Sequence, residues 1–313
     1  LPGVDIGLLA GFDQSLRVRL EVAPINYSDS QGHLFFDGLS GSFVSHGDNS
    51  AEFSLSMGKL EAEENGSTIG FTMSGLELTS STSQLNHVLA PSSATLTIPR
   101  IAGGTPHPFT VDGISAESRL QTSTAGAAQT DISQRLEIAS IDSEFPLNSI
   151  SWTSEINGIQ NHLFQRYYGL LAGLQTQISV PANPATASIQ MNQLSQELML
   201  VLARNRLVFN NRIAASAYDG NHSIDLSIDW NGLPELDNIT RLNLNTAIDA
   251  LTVKLDVSLD LAAIMRSPAA EMVDPYVQQQ YIRLDHGRIL LNGSVEDGEL
   301  VLNGELIPLD QLF

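Results

Sequence analysis

Cysteine is absent from this 313-residue chain, which excludes disulfides, thiolate metal sites and cysteine nucleophiles while leaving the redox compartment open. Basic residues are scarce: 15 Lys and Arg stand against 35 Asp and Glu, a formal charge of −20, and the lysines are Lys59 and Lys254 alone. Such a surface repels phosphate backbones and anionic headgroups and offers no basic stripe for counterion release, which argues against nucleic acid as a partner. Aromatic residues make up 6% and charged residues 16%, so Ser, Thr, Asn, Gln and Gly carry the polar balance, as they do on solvated strand faces and in turns. No apolar run approaches the roughly 18 residues that a membrane-spanning helix needs. With 42% hydrophobic residues and a mean hydropathy near zero, the composition is that of a folded soluble chain.

What is present is alternation. From Leu16 to about Trp152, short segments of period two follow one another between turn residues, enough for eight strands of an antiparallel meander. Phe53, Leu55 and Met57 alternate with Ser54, Ser56 and Gly58; Ile69, Phe71 and Met73 alternate with Gly70, Thr72 and Ser74. Gly32, Gly47 with Asp48 and Asn49, Asn65-Gly66 and Gly103-Gly104 are the expected positive-φ turns. Around Glu155 the period changes to 3.6, with Ile156, Ile159, Leu163, Tyr167, Leu170 and Leu174 on one helical face. Pro-Ala-Asn-Pro at 181–184 ends that helix, and Asn183 with Pro184 caps and starts a second, whose stripe is Met191, Leu194, Leu198, Val201 and Leu202.

Strands resume after Arg206. A turn at Asp219-Gly220 precedes Ile224, Leu226, Ile228 and Trp230, and a further strand carries Leu251, Val253, Leu255, Val257 and Leu259. A helical stretch over 260–281, interrupted by Pro268 and Pro275, leads to terminal hairpins turning at Asp297-Gly298 and Asn303-Gly304. The expected fold is mainly β with α insertions: an elongated, curved antiparallel meander with two lobes and a central helical pair, divided as 1–154, 155–206 and 207–313 but forming one continuous body.

Catalytic signatures are missing. The histidines at 33, 46, 87, 107, 162, 222 and 286 fall in no metal-ligand spacing, and no GxSxG, Walker or GxGxxG motif occurs. Asp285-His286 would be half of a catalytic arrangement only if a serine came near. The pairs Asp225/Asp229 and Asp256/Asp260 lack the loop that calcium requires and read as solvated strand faces. The Asn-x-Ser/Thr sequons at Asn26, Asn65, Asn221, Asn238 and Asn292 read as turns. No catalytic, cofactor-binding or metal residue is therefore assigned, and the chain is expected not to be an enzyme.

The terminal run Asn292-Gly293-Ser294-Val295-Glu296-Asp297-Gly298-Glu299-Leu300-Val301-Leu302-Asn303-Gly304, with Ile307-Pro308-Leu309 after it, resembles the ending of YdgA-like bacterial cell-envelope proteins of unknown function. The aromatic, Gln-containing segment Phe164-Gln165-Arg166-Tyr167-Tyr168 is similar as well. The resemblance implies a periplasmic body held at the inner membrane by an anchor ahead of Leu1, and it carries over no active-site residue.

The apolar cluster of Trp152, Leu163, Phe164, Tyr167, Tyr168 and Leu170 is the candidate site. Its plain reading is packed core; its functional reading is an apolar groove left where helices fail to cover the sheet, taking a lipid or an envelope protein. The expected role is a periplasmic binding or scaffold module, with a ligand-free structural module or an enzyme of unrecognised type as alternatives.

Overall fold

The computed structural model describes residues 3–64, 70–85, 87, 89–104, 107–123, 128–144, 146–164, 166–170, 184–296 and 298–307. It is built on an 18-stranded sheet. The strands are β1 (Val4–Ala10), β2 (Leu16–Val22), β3 (Ile25–Ser28), β4 (Gly32–Phe36), β5 (Leu39–Ser45), β6 (Ala51–Glu64), β7 (Gly70–Thr82), β8 (Ser92–Gly103) and β9 (Phe109–Thr122). They continue as β10 (Gln129–Ser143), β11 (Leu147–Gln160), β12 (Leu207–Ala217), β13 (Gly220–Trp230), β14 (Leu251–Asp260), β15 (Arg283–Asp285), β16 (Arg288–Glu296), β17 (Glu299–Leu302) and β18 (Glu305–Ile307). The recorded strand pairings are antiparallel, and from β5 to β14 each strand pairs with the next in sequence. The mainly β, antiparallel architecture expected from alternation is therefore the observed one.

Because directly opposed residues point to the same side, the register sorts the sheet into two faces. One is polar: Ser40 faces Ser56 and Ser42 faces Ser54, each pair joined by a hydroxyl–hydroxyl hydrogen bond of 2.8 Å, and Asp225 sits between Arg212 and Asp256. The other is mainly apolar, joining Leu39 to Met57 and Leu55 to Leu78.

A crease crosses this sheet. On β6 to β10 the ladder is interrupted for one or two residues per strand with its register kept, and Gly58, Gly75, Pro99, Gly113 and Ala139 lie side by side in the gaps. Each gap moves the apolar pattern by three residues: Met57/Leu60, Met73/Leu76, Ile98/Ile101, Val111/Ile114 and Ile138/Ile141. The same step spans the breaks between β2 and β3 (Val22/Ile25) and between β4 and β5 (Phe36/Leu39). An aligned row of kinks, one in each strand and opposite one another so that the register is kept, leaves the same face apolar on both sides. Small residues are required along it: Gly75 and Gly113 have φ of 74° and 64°, and a Cβ at Gly113 would stand 2.8 Å from that of Ala139. The eight strands expected between Leu16 and Trp152 correspond to eight lines of chain, two of which break at the crease, making ten elements through β11.

Among the described residues, the α-helices with both ends defined are α1 (Pro184–Arg204), α2 (Leu244–Asp249), α3 (Leu261–Ile264) and α4 (Ala270–Gln278). The helix expected from Glu155 begins later. Residues 155–160 finish β11, a 3-10 turn spans Asn161–Phe164, and residues 166–170 are helical. Gly158, with φ of 88°, inserts a bulge opposite Asp131, so Ile156 and Ile159 face the same side at a three-residue step that imitates a helical repeat. Leu174 and the proposed cap Asn183 lie outside the described residues, but α1 does start at Pro184. Of its expected stripe, Leu194 and Val201 are buried, Leu198 and Leu202 are partly buried, and Met191 is 59% exposed.

Several turns also differ. The β12–β13 hairpin turns on Tyr218 and Asp219, at φ of 51° and 58°. Gly220 is instead needed for packing, since a Cβ there would come within 2.4 Å of Ala263 Cβ. Near Gly47 the positive-φ residue is Asn49, and Gly32 and Gly103 keep negative φ inside strand ends; Asn65-Gly66 lies outside the described residues. Asn303-Gly304 has the expected φ values of 52° and 89°. Of the sequons, Asn26, Asn221 and Asn292 occupy strands and Asn238 caps a 3-10 turn, because their alternation with apolar neighbours outweighs their turn propensity. Pro268 separates α3 from α4, whereas Pro275 is accommodated within α4.

Candidate functional site

The accessible surface is 19,348 Å². A compact 33.7 kDa protein exposes ~12,700 Å² by the usual scaling of area with mass. That excess directs attention to the apolar face of the sheet.

One row defines that face. Ile6, Leu20, Gly41, Leu55, Leu78, Leu96, Ala116, Leu136, Trp152, Ile213, Ile224, Val257 and Leu291 oppose one another in turn, one from each of 13 strands. None carries a charge or a side-chain hydrogen-bonding group except the Trp152 indole. At the 4.7–4.9 Å spacing of neighbouring strands the row runs for about 60 Å. A parallel row on the crease side contributes Val22, Leu39, Met57, Leu76, Ile98, Ile114 and Ile138. The row on the opposite side is mixed: it starts with Val18, Phe43 and Phe53 and then passes through Ser80, Ser118, Gln134, Ser154 and Asn211.

Among the described residues, a roof covers only one end of this face. Phe164 and Val201 pack on Ile159 and Leu89, and Leu163, Tyr167 and Tyr168 gather around them with Leu120, Ile132, Ile156 and Leu207 of the sheet. The Phe164 and Tyr167 rings meet edge to face at 6.1 Å, and burial pushes the Tyr168 phenol above its usual pKa. The roof is locked by Asn205, which has no exposed surface: its amide donates to Val201 O at 2.8 Å and its oxygen accepts from Gln160 N at 2.8 Å. Trp230 Nε1 adds a bond to Ala203 O, and Arg166 pairs with the buried Glu197 at 3.2 Å.

The structure thus brings Leu163, Phe164, Tyr167 and Tyr168 together as the roofed core and separates the other two candidates from them. Trp152 lies farther along β11 in the middle of the apolar row, its indole donating to Asn211 Oδ1 at 2.9 Å. Leu170 lines a small polar hollow with Arg166, Glu197 and Asp237. The row itself escaped a reading based on individual strands, although its signal, apolar residues at alternate positions in every segment, was in view; only register turns those segments into one surface.

The face is an open surface more than a pocket: a hollow on it, lined by Phe43, Phe53, Leu85 and Ala94, holds about 250 Å³, below the usual range for a small-molecule site. Larger hollows of about 670 and 600 Å³ lie mainly over the short serines of the polar face. His286 Nδ1 meets Asp285 Oδ1 at 2.6 Å on an exposed turn. Asp260 caps α3, Asp229 pairs with Arg206, and no group of three or more His, Asp or Glu among the described residues is placed to hold a metal. No helix among them is long and apolar enough to cross a membrane.

Comparison with curated proteins gives no match, and neither does comparison with solved structures. Residues 2–310 match the model of a bacterial protein family of unknown function, DUF945, and the chain belongs to that family.

Proposed function

We propose that this chain is a non-catalytic binding module that holds acyl chains of lipids on the bare part of its apolar sheet face. The observation that carries the reading is the row from Ile6 to Leu291, which is apolar in every strand it crosses and far longer than the patches that soluble monomers leave exposed. Its chemistry suits aliphatic chains. An acyl chain asks for no hydrogen bonds, whereas a peptide laid across the row would bring backbone N–H and C=O groups that these side chains cannot satisfy. The polar face keeps the acidic balance away from the ligand and in water. The resemblance of the C-terminal run to YdgA-like envelope proteins supports a periplasmic body anchored at the inner membrane, where acyl chains are at hand.

Native mass spectrometry of the purified chain, with lipid extraction, tests the reading. Bound lipid should be found, and Leu55→Ser together with Leu78→Ser should lower its occupancy several-fold at a stability cost of only about 1 kcal/mol each, because both residues are only half-buried. Leu163→Trp should leave occupancy unchanged and destabilise the roof by about 1–3 kcal/mol through overpacking. Protein that stays empty after exposure to vesicles overturns the proposal in favour of a ligand-free structural module.

A further inference from the structure

We propose that β1 is a self-pairing edge, along which two copies of this chain join antiparallel about Gly7. Among the described residues β1 pairs with β2 and with no other strand. Its seven residues, VDIGLLA, are all exposed, Leu8 at 71% and Leu9 at 64%. Sheet edges are normally blunted by Lys, Pro, bulges or brevity. β1 carries one charge, Asp5, but no Lys, Pro or bulge, and it runs in unbroken register with β2 from Val4 opposite Val22 to Ala10 opposite Leu16. The opposite edge is blunted: β18 spans three residues and opens with Glu305.

The alternation of β1 selects the partner and the register. With Gly7 opposite the second copy's Gly7, Ile6 meets Leu8 and Val4 meets Ala10, so the apolar face continues from one copy to the other. A slip of one residue would put apolar side chains against polar ones. Centring on Gly7 is also the arrangement that pairs all seven residues. On the polar face Asp5 then meets Leu9, so the two Asp5 carboxylates never oppose each other. Arg17 stands opposite Leu9 on β2, which places it in line with the second copy's Asp5 at about 10 Å between backbones, within reach of an extended arginine. This local complementarity offsets the repulsion between two chains of charge −20. A seven-residue join is small beside the 1,200–2,000 Å² of a stable interface, so the dimer dissociates on dilution. The pairing holds whether or not the apolar face carries lipid.

The absence of cysteine makes the register directly testable. A Cβ at Gly7 stands 3.8 Å from Arg19 Cβ, an ordinary contact, so Gly7→Cys is accommodated. Under mild oxidation this variant should form a disulfide-linked dimer, since opposed Cα atoms at about 4.5–5.5 Å suit a disulfide. Asp5→Cys alone should not cross-link, and the double variant Asp5→Cys/Leu9→Cys should. In sedimentation experiments Leu9→Asp sets a carboxylate against Asp5 at both ends and should weaken the dimer about tenfold, while Leu9→Lys should retain or tighten it. Neither Leu9 variant alters the apolar row, so association through that face would not distinguish them. A chain that stays monomeric up to several hundred micromolar, equal cross-linking by all single cysteines, or indifference to the sign at Leu9 overturns the proposal.

Discussion

Leu120, Ile132 and Ile156 lie on the same face of the same sheet as Leu20, Leu55 and Leu78, yet among the described residues only the first group is roofed. The strands are alike in alternation. What differs is where α1 docks, and that depends on residues far away in sequence: Asn205 bonded to Gln160, and Val201 beside Leu89. Under the roof the sheet is half of an ordinary two-layer core. Over the bare stretch it is a single layer, held by its ladders and by contacts between side chains on neighbouring strands.

The largest test of this contrast is truncation on either side of it. Phe164→Ala removes a buried ring from the roofed core and should cost about 3–5 kcal/mol. Leu55→Ala removes a half-buried side chain with solvent above it and should cost about 1 kcal/mol, since no closed cavity forms. Urea denaturation of both variants measures the difference; equal losses would mean that the bare face is packed in solution.

The crease offers the next largest effect, because it serves both regions. Gly113 combines φ of 64° with a Cβ approach of 2.8 Å to Ala139, so Gly113→Val should destabilise by about 2–4 kcal/mol through strain and collision together. Gly7→Val, at a glycine with room for a side chain, should be nearly neutral in the same denaturation experiment. Third comes the lock: Asn205→Ala leaves Gln160 N without its acceptor and should cost about 1–3 kcal/mol. Hydrogen exchange should then quicken first at residues 159–164 and in α1, with β5–β8 little changed.

The sequence made the strands legible because a half-buried strand must alternate, whether or not anything covers it. It made α1 legible through Pro184 and the spacing of Leu194, Leu198 and Val201. The crease was harder to see, since a kink of this kind, like a bulge, steps the apolar pattern by three residues, the same step that marks a helical turn. At Ile156 and Ile159 this similarity produced the expectation of a helix where β11 continues. The candidate site was half legible for a related reason. Leu163, Phe164, Tyr167 and Tyr168 are close in sequence and gather through local structure, whereas the row through Trp152 is made by pairing among 13 strands, which no single segment encodes.

The smallest expected effect belongs to the bare stretch alone and appears with acid. Asp13, Asp29 and Asp48 sit in the turns beside β1 to β6, and hydrogen bonds hold all three carboxyls below their usual pKa. Asp13 accepts from Ser15, Asp29 from Tyr27 and from the backbone of Gln31 and Gly32, and Asp48 from Ser50. A carboxyl whose pKa is lower in the folded than in the unfolded chain adds stability above the unfolded value near 3.8, and that contribution disappears as pH falls through the folded value. These turns should therefore be unaffected between pH 7 and 5 and should loosen only below about pH 4. All three groups are fully exposed, so the loss should be slight and local. Hydrogen exchange on stepping from pH 5 to pH 3 should show it at residues 13–15, 29–32 and 48–50, after correction for the intrinsic pH dependence of exchange. Asp29→Asn keeps an acceptor oxygen in the turn without the titrating charge, and it should remove the pH response at 29–32 while leaving that at 48–50 intact. An acid response centred on the roofed core would reverse the ranking and place the acid-sensitive part of the sheet under α1.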